Sequence, residues 1–183
     1  VAHGYQHSLA IKTDGTLWAW GQNTNGLLGD GTIFHRSSPV KIGNMTNWQH
    51  VSCGYQHSLA IKTDGTLWSW GDPSYGSLGN NNSVAVVYSP VQVGSLSNWV
   101  AVSGGFYHNL AIKTDGTLWS WGLNDYGELG DGTSGAANRK SSPVQVGSLT
   151  NWAQIACGFD GGYAVKTDGT LWAWGQNTNG LLG

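Results

Sequence analysis

Three histidines, His7, His57 and His108, recur at intervals of 50 and 51 residues, each closing a Gly-x-x-His segment. Imidazoles at a fixed spacing could ligate a metal, because neutral ring nitrogens suit zinc. The matching place in a fourth copy is Gly161, and side chains from separate units lie too far apart to share one tetrahedral ion. The spacing therefore favours a structural duty, each imidazole tying the strands of its own unit together. The oxygen-rich stretches Gln22–Gly31 and Leu123–Gly132 could suggest calcium, which takes about six to eight oxygens. They have no closing Glu at the right spacing, and Asn80-Asn81 stands where other copies have Asp-Gly, so Asx turns and glycines account for them. Cys53 and Cys157 share one repeat position two units apart, and are expected as free, buried thiols. There is no Ser-His-Asp set, no phosphate-cradling glycine loop followed by Lys, and no unique pair of carboxylates. We expect no enzymatic activity, no cofactor and no bound metal.

The elements that must position these residues are repeats. Ile11–Gly21 reads Ile-Lys-Thr-Asp-Gly-Thr-Leu-Trp-Ala-Trp-Gly, and close copies stand at Ile61–Gly71, Ile112–Gly122 and Val165–Gly175. A period near 50 residues marks an array of one small unit. In the second copy Trp48–Gly54 alternates as a short strand. His57–Thr63 alternates next, with Leu59 and Ile61 on one face. Asp64-Gly65 is a hairpin turn signal, because glycine supplies a positive φ. Thr66–Gly71 makes a third strand with Trp68 and Trp70 on one face, and Tyr88–Gly94 a fourth. Pro90 removes a ladder donor, which places that strand at an edge. Four short antiparallel strands per unit describe a β-propeller blade. The expected fold is all-β, with blades at about 1–43, 48–94 and 99–147 and a partial blade at about 152–183. The tryptophan pairs Trp18/Trp20, Trp68/Trp70, Trp119/Trp121 and Trp172/Trp174 suit packing of blade on blade, each indole burying roughly 150–250 Å².

Gly-Tyr-Gln-His-Ser-Leu-Ala-Ile-Lys-Thr-Asp-Gly-Thr-Leu-Trp, then Gly-x-Leu-Gly-Asp-Gly-Thr, then Ser-Pro-Val-Gln-Val, resembles the regulator of chromosome condensation repeat over the whole chain. The resemblance implies a propeller, usually of seven blades. It also brings in members with special activities, an exchange factor for the small GTPase Ran and a plant ultraviolet-B photoreceptor, beside many interaction scaffolds. This chain has no basic tail for chromatin. Where the photoreceptor relies on tryptophan it carries Tyr5, Tyr55, Phe106 and Phe159, without the accompanying Arg. The near-identity of the copies and the Thr, Asn and Trp content point to a bacterial-type member, extracellular or at the cell surface. Because the chain starts inside one repeat and stops inside another, we expect a piece of something longer, whose open blade flanks invite self-association.

Charged residues make up only 10% of the chain and the formal net charge is −2, which supplies no field for nucleic acid. No apolar run is long enough for a membrane-spanning helix. What could carry function is whatever departs from the repeat. Asp160, in Gly158-Phe-Asp-Gly-Gly-Tyr163, replaces Gln or Tyr of the other copies. The loops before the fourth strands differ in length, one carrying Val84, Val86 and Val87 and another Arg139 and Lys140. The Val84–Val87 run could dock a partner or extend its strand. The expected function is a non-enzymatic scaffold for protein interaction or self-assembly. A guanine-nucleotide exchange factor and a glycan-binding propeller are the alternatives.

Overall fold

The computed structural model describes residues 1–183 as four antiparallel sheets. The first runs in the order β1 (Ala2–His3), β2 (His7–Ile11), β3 (Leu17–Gly21) and β4 (Arg36–Lys41). The second holds β5 (Trp48–Cys53), β6 (His57–Lys62), β7 (Leu67–Gly71) and β8 (Val87–Gln92). The third holds β9 (Trp99–Gly104), β10 (His108–Lys113), β11 (Leu118–Gly122) and β12 (Lys140–Gln145), and the last has three strands, β13 (Trp152–Cys157), β14 (Gly161–Lys166) and β15 (Leu171–Gly175). First strands of successive sheets touch one another, β5 meeting β1 and β9 and β13 meeting β9. They therefore lie innermost, and the four sheets form an open, partial propeller. Pro39, Pro90 and Pro143 all fall on the outermost strands, where the missing N–H costs no ladder bond.

The hairpin between second and third strands is one connected device. Asp14 Oδ1 accepts from the Thr16 backbone N–H at 3.0 Å and from the Thr16 hydroxyl at 2.6 Å. Thr16 Oγ1 in turn accepts from Trp18 Nε1 at 2.9 Å, and Lys12 Nζ sits 3.6 Å from the centre of the same indole. The arrangement recurs around Asp64, Asp115 and Asp168. The central glycine is required twice over. Gly65 has φ of 76°, and a Cβ there would run into the Ser97 carbonyl of the link to the next sheet.

Between each pair of sheets lies an apolar cluster. Leu9, Leu17, Leu28 and Ile42 of the first sheet meet Trp48, Ala60 and Trp70 of the second. Leu59, Ile61 and Leu67 meet Trp99, Val102 and Trp121, and Leu110, Ile112 and Leu118 meet Trp152 and Ala164. The two tryptophans of each pair differ in role. Trp70 and Trp121 are fully buried against the preceding sheet, whereas Trp68 and Trp119 are half-buried under a lysine ammonium.

The expectation that every tryptophan pair packs blade on blade is corrected at Trp20. Trp20 is the equivalent of Trp70 and Trp121 and stands opposite Ser8 in the β2–β3 ladder. It is nevertheless only half-buried and joins none of the three apolar clusters. The reason is positional. The second tryptophan of a pair packs on the sheet before its own, and within this chain no sheet stands before the first. Trp174, in the last sheet, does have a preceding sheet and donates to it, Nε1 to Glu128 O at 2.9 Å.

The fourth strand of the second sheet begins at Val87, one residue earlier than the pattern predicts. Val87 stands opposite Gly71 and packs on the first core, Val86 is half-buried, and Val84 is 92% exposed. Of the two readings of this run, a docking segment or an extension of the strand, Val87 follows the second, while Val84 stays in the loop. Helix is confined to two 3-10 turns, Ser74–Gly76 and Ala136–Asn138, and no helix is long and apolar enough to cross a membrane.

Candidate functional site

Antiparallel order gathers the turns between first and second strands at one end of the propeller, together with the loops between third and fourth strands. This end is the upper face. Each Gly-x-x-His turn closes on itself, Gly54 N donating to His57 O at 2.9 Å, with Gly4, Gly105 and Gly158 doing likewise. The glycine is needed because the imidazole packs against it: a Cβ on Gly54 would collide with the His57 ring at Cε1.

The histidines do not tie strands within their own sheet, as the sequence suggests, but reach across to the next one. His7 Nε2 meets Ser58 Oγ at 2.9 Å, His57 Nε2 meets Asn109 Oδ1 at 2.6 Å, and His108 Nε2 meets the Gly161 carbonyl at 3.2 Å. Asn109 Oδ1 and Gly161 O can only accept, and Ser58 already gives its proton to Leu27 O. All three imidazoles therefore carry their proton on Nε2. Each Nδ1 is left buried without a partner. Burial is the first cause of lowered basicity, holding His7 near pKa 3 and His57 and His108 near 4. The same carbonyls finish the lock: Leu27 O also accepts from Trp70 Nε1 at 2.8 Å, and Ser77 O accepts from Asn109 Nδ2 and Trp121 Nε1. No group of three or more His, Cys, Asp or Glu side chains is arranged to hold a metal. Both cysteines are free, and burial pushes each thiol up to about 12, which makes them poor nucleophiles.

What the locks leave open is a line of rings. Neighbouring turns are hydrogen-bonded in pairs, Tyr55 N to Gly105 O and Phe106 N to Phe159 O. The residue after each turn glycine is thereby set beside its equivalent one sheet on. Tyr5 and Tyr55 lie 4.8 Å apart between ring centres, Tyr55 and Phe106 4.6 Å, and Phe106 and Phe159 4.1 Å, the last pair stacked. Tyr5 and Phe159 are 65% and 61% exposed. The rings flank a trough of about 290 Å³ floored by glycines of the turns. A spoke of aromatics leaves this ladder at Tyr107, which touches Tyr55, Phe106 and Tyr75. At its outer end Arg139 lies 4.6 Å over Tyr75 and forks onto Asp125, Nε to Oδ1 at 2.9 Å and Nη2 to Oδ2 at 2.7 Å.

The residues singled out from sequence do not form one patch. Asp160 follows Phe159 in the last turn, at the inner rim. Arg139, a candidate partner contact from the sequence, is clamped by Asp125 and Tyr75, and Lys140 opens β12 opposite Gly122. Val84 belongs to an outer loop. Two residues escaped the sequence reading. Glu128 is fully buried at the last seam, where its backbone carbonyl accepts from Trp174 Nε1 and its Oε1 has no partner. Burial raises its pKa, with Asp160 and Asp125 adding to the shift. Its signal was that it is the chain's single Glu, in a loop place held by Leu27 and Ser77 elsewhere. The Tyr107–Tyr75 spoke also went unread, although Tyr107 stands where two copies have Gln.

The family model for the RCC1-like domain matches residues 1–183. The chain belongs to the RCC1-like domain family. It is 33% identical over 189 residues to the ultraviolet-B receptor UVR8 of Arabidopsis thaliana, covering all of this chain and 42% of that protein. Among solved structures it resembles human WBSCR16, with a TM-score of 0.86 at 25% identity over 99% of this chain and 48% of the other. Yeast RCC1 (Prp20), solved bound to Kap60, gives 0.81 at 25% identity over 96% and 43%. The RCC1-like chain described here thus spans less than half the length of each.

Proposed function

We propose that this RCC1-like segment is a non-enzymatic scaffold that binds a protein partner on its upper face. The observation that carries the reading is the fate of the reactive side chains. The three turn histidines are buried between sheets and fully committed through Nε2, while the rings of Tyr5, Tyr55, Phe106 and Phe159 stand beside an open trough. Polar groups are thus spent on holding sheets together, and exposed aromatics, which are enriched at protein interfaces, remain for contact. The resemblance to a yeast protein solved in complex with Kap60 supports a protein partner. A lysine ammonium lies over the first tryptophan of every pair, so at Trp18, Trp68 and Trp119, which are half-buried as well, a sugar would compete with the chain's own cation.

Selection of binders from a random peptide display, followed by hydrogen-exchange footprinting, tests this reading. Protection is expected in the turns at residues 4–7, 54–57, 105–108 and 158–161. Protection confined to the opposite hairpins at Asp14, Asp64, Asp115 and Asp168 would overturn it. Acceleration of nucleotide release from a small GTPase would instead establish the exchange-factor alternative.

A further inference from the structure

Lys12–Gly29 and Lys166–Gly183 are the same eighteen residues, placed in the first and the last sheet with the same hairpin register. In the first sheet this segment is one side of a finished seam. Leu17, Ala19 and Leu28 are sealed in one cluster with Ala60 and Trp70 of the second sheet. Leu27 O accepts from Trp70 Nε1 at 2.8 Å and from Ser58 Oγ at 2.7 Å. In the last sheet the same residues lie open. Leu171 is 70% exposed and Leu181 53%, and Leu181 O accepts from the Tyr163 hydroxyl at 3.1 Å. A carbonyl oxygen has two lone pairs, so this one has room for a second donor.

Identical residues in an identical hairpin present the same surface, and the first seam shows what fits it. The fitting face carries Ala60, Trp70 and Ser58 and is turned toward the preceding sheet. The chain has one such face uncovered. Ala10, Trp20 and Ser8 hold those places in the first sheet, Ser8 opposite Trp20 as Ser58 is opposite Trp70. Trp70, Trp121 and Trp174 each donate Nε1 to the preceding sheet, at Leu27, Ser77 and Glu128. Trp20 is half-buried and has no preceding sheet in this chain.

We propose that the bare flank of the last sheet receives the first sheet of a second copy of this chain, the Trp20 indole of that copy donating to Leu181 O. The contact is head to tail. Two copies of four sheets each bring eight, within the roughly four to eight blades typical of propellers, so the pair closes on itself through two identical seams. These seams are weaker than those inside the chain. The first strand spans only Ala2–His3 and supplies no counterpart of Trp48, and Gly161 stands where the other sheets have their locking histidine. The pair is therefore dissociable.

Sedimentation velocity of the whole chain over a range of concentrations tests this. The mass should rise from 19.4 kDa to twice that value and stop there. Trp20→Arg and Leu171→Asp should each weaken association at least tenfold. Mixed in equal amounts, the two variants should pair with each other, because one keeps the flank and the other keeps the face that fits it. Trp20→Phe, which keeps a ring and loses the donor, should weaken association about three- to tenfold. At dilutions where the parent chain is single, all three variants should share its thermal transition. Undiminished association of Trp20→Arg or Trp20→Phe would set flank against flank and overturn the proposal. Failure of the mixture to pair would also overturn it, as would a mass that stays at 19.4 kDa or grows without limit.

Discussion

At the scale of single residues, the histidines show how one side chain serves an architecture. An imidazole buried at a seam is a good neutral donor and a poor cation. The folded state holds His7, His57 and His108 neutral far below the ordinary value of 6.5, so in acid the unfolded chain takes up protons that the folded chain refuses. Stability is then complete above pH 6.5 and declines as pH falls toward 4, each histidine removing up to ~1.4 kcal/mol per pH unit in that window. The thermal midpoint should fall measurably between pH 6.5 and 4.5, and His57→Gln should flatten the decline. Below pH 4 a second loss follows. The hairpin carboxylates Asp14, Asp64, Asp115 and Asp168 have lowered pKa values, first through the threonine hydroxyl each accepts, and their contribution disappears as they protonate. A midpoint independent of pH from 6.5 to 4.5 would contradict the buried neutral imidazoles.

At the scale of elements, the hairpin glycines and the tryptophan pairs separate two kinds of cost. Gly65 and Gly94 both have left-handed backbone, at φ of 76° and 62°, but only Gly65 has a carbonyl in the way of a Cβ. Gly94→Ala should cost about 1 kcal/mol from conformation alone, and Gly65→Ala at least ~1 kcal/mol more, read from denaturant midpoints. The tryptophans divide similarly. Trp121 is wholly enclosed and donates to Ser77 O, so Trp121→Ala should cost ~3–5 kcal/mol, enough to abolish a cooperative transition. Trp119, half-buried under Lys113, should tolerate alanine with a loss about half as large or less. Equal losses would mean that the lysine-capped indoles carry as much of the packing as the enclosed ones.

At the scale of the molecule, each sheet is covered by the next, and the last one is not. Leu17, Leu67 and Leu118 are fully buried, whereas their equivalent Leu171 is 70% exposed and Trp172 beside it 47% exposed. Apolar surface of this kind tends to find cover. This 19.4 kDa chain should associate with rising concentration on a sizing column with light scattering, and Leu171→Asp should suppress the association. A single mass near 19.4 kDa at all concentrations would show that the flank is tolerated bare.

The strands were legible because alternation, Asp-Gly turns and edge prolines are local signals with local causes. Lys12–Gly29 and Lys166–Gly183 are identical in sequence, so their hairpins follow from eighteen residues and nothing more. Their environments do not. Leu17 is sealed and Leu171 is bare, because burial depends on the neighbouring sheet. Trp20 and Trp70 part for the same reason, one lacking the preceding sheet that encloses the other. The candidate site divides along the same line. That Asp160 is unlike its counterparts was written in the chain. That it follows the last ring of a ladder spaced 4.1–4.8 Å apart, while Arg139 is already spoken for, depends on hydrogen bonds and ion pairs between residues far apart in sequence. Sequence alone determined the blade, since its turns and alternation are short-range. Tertiary structure decided which equivalent residues are locked and which are free, since that is set by what each sheet packs against.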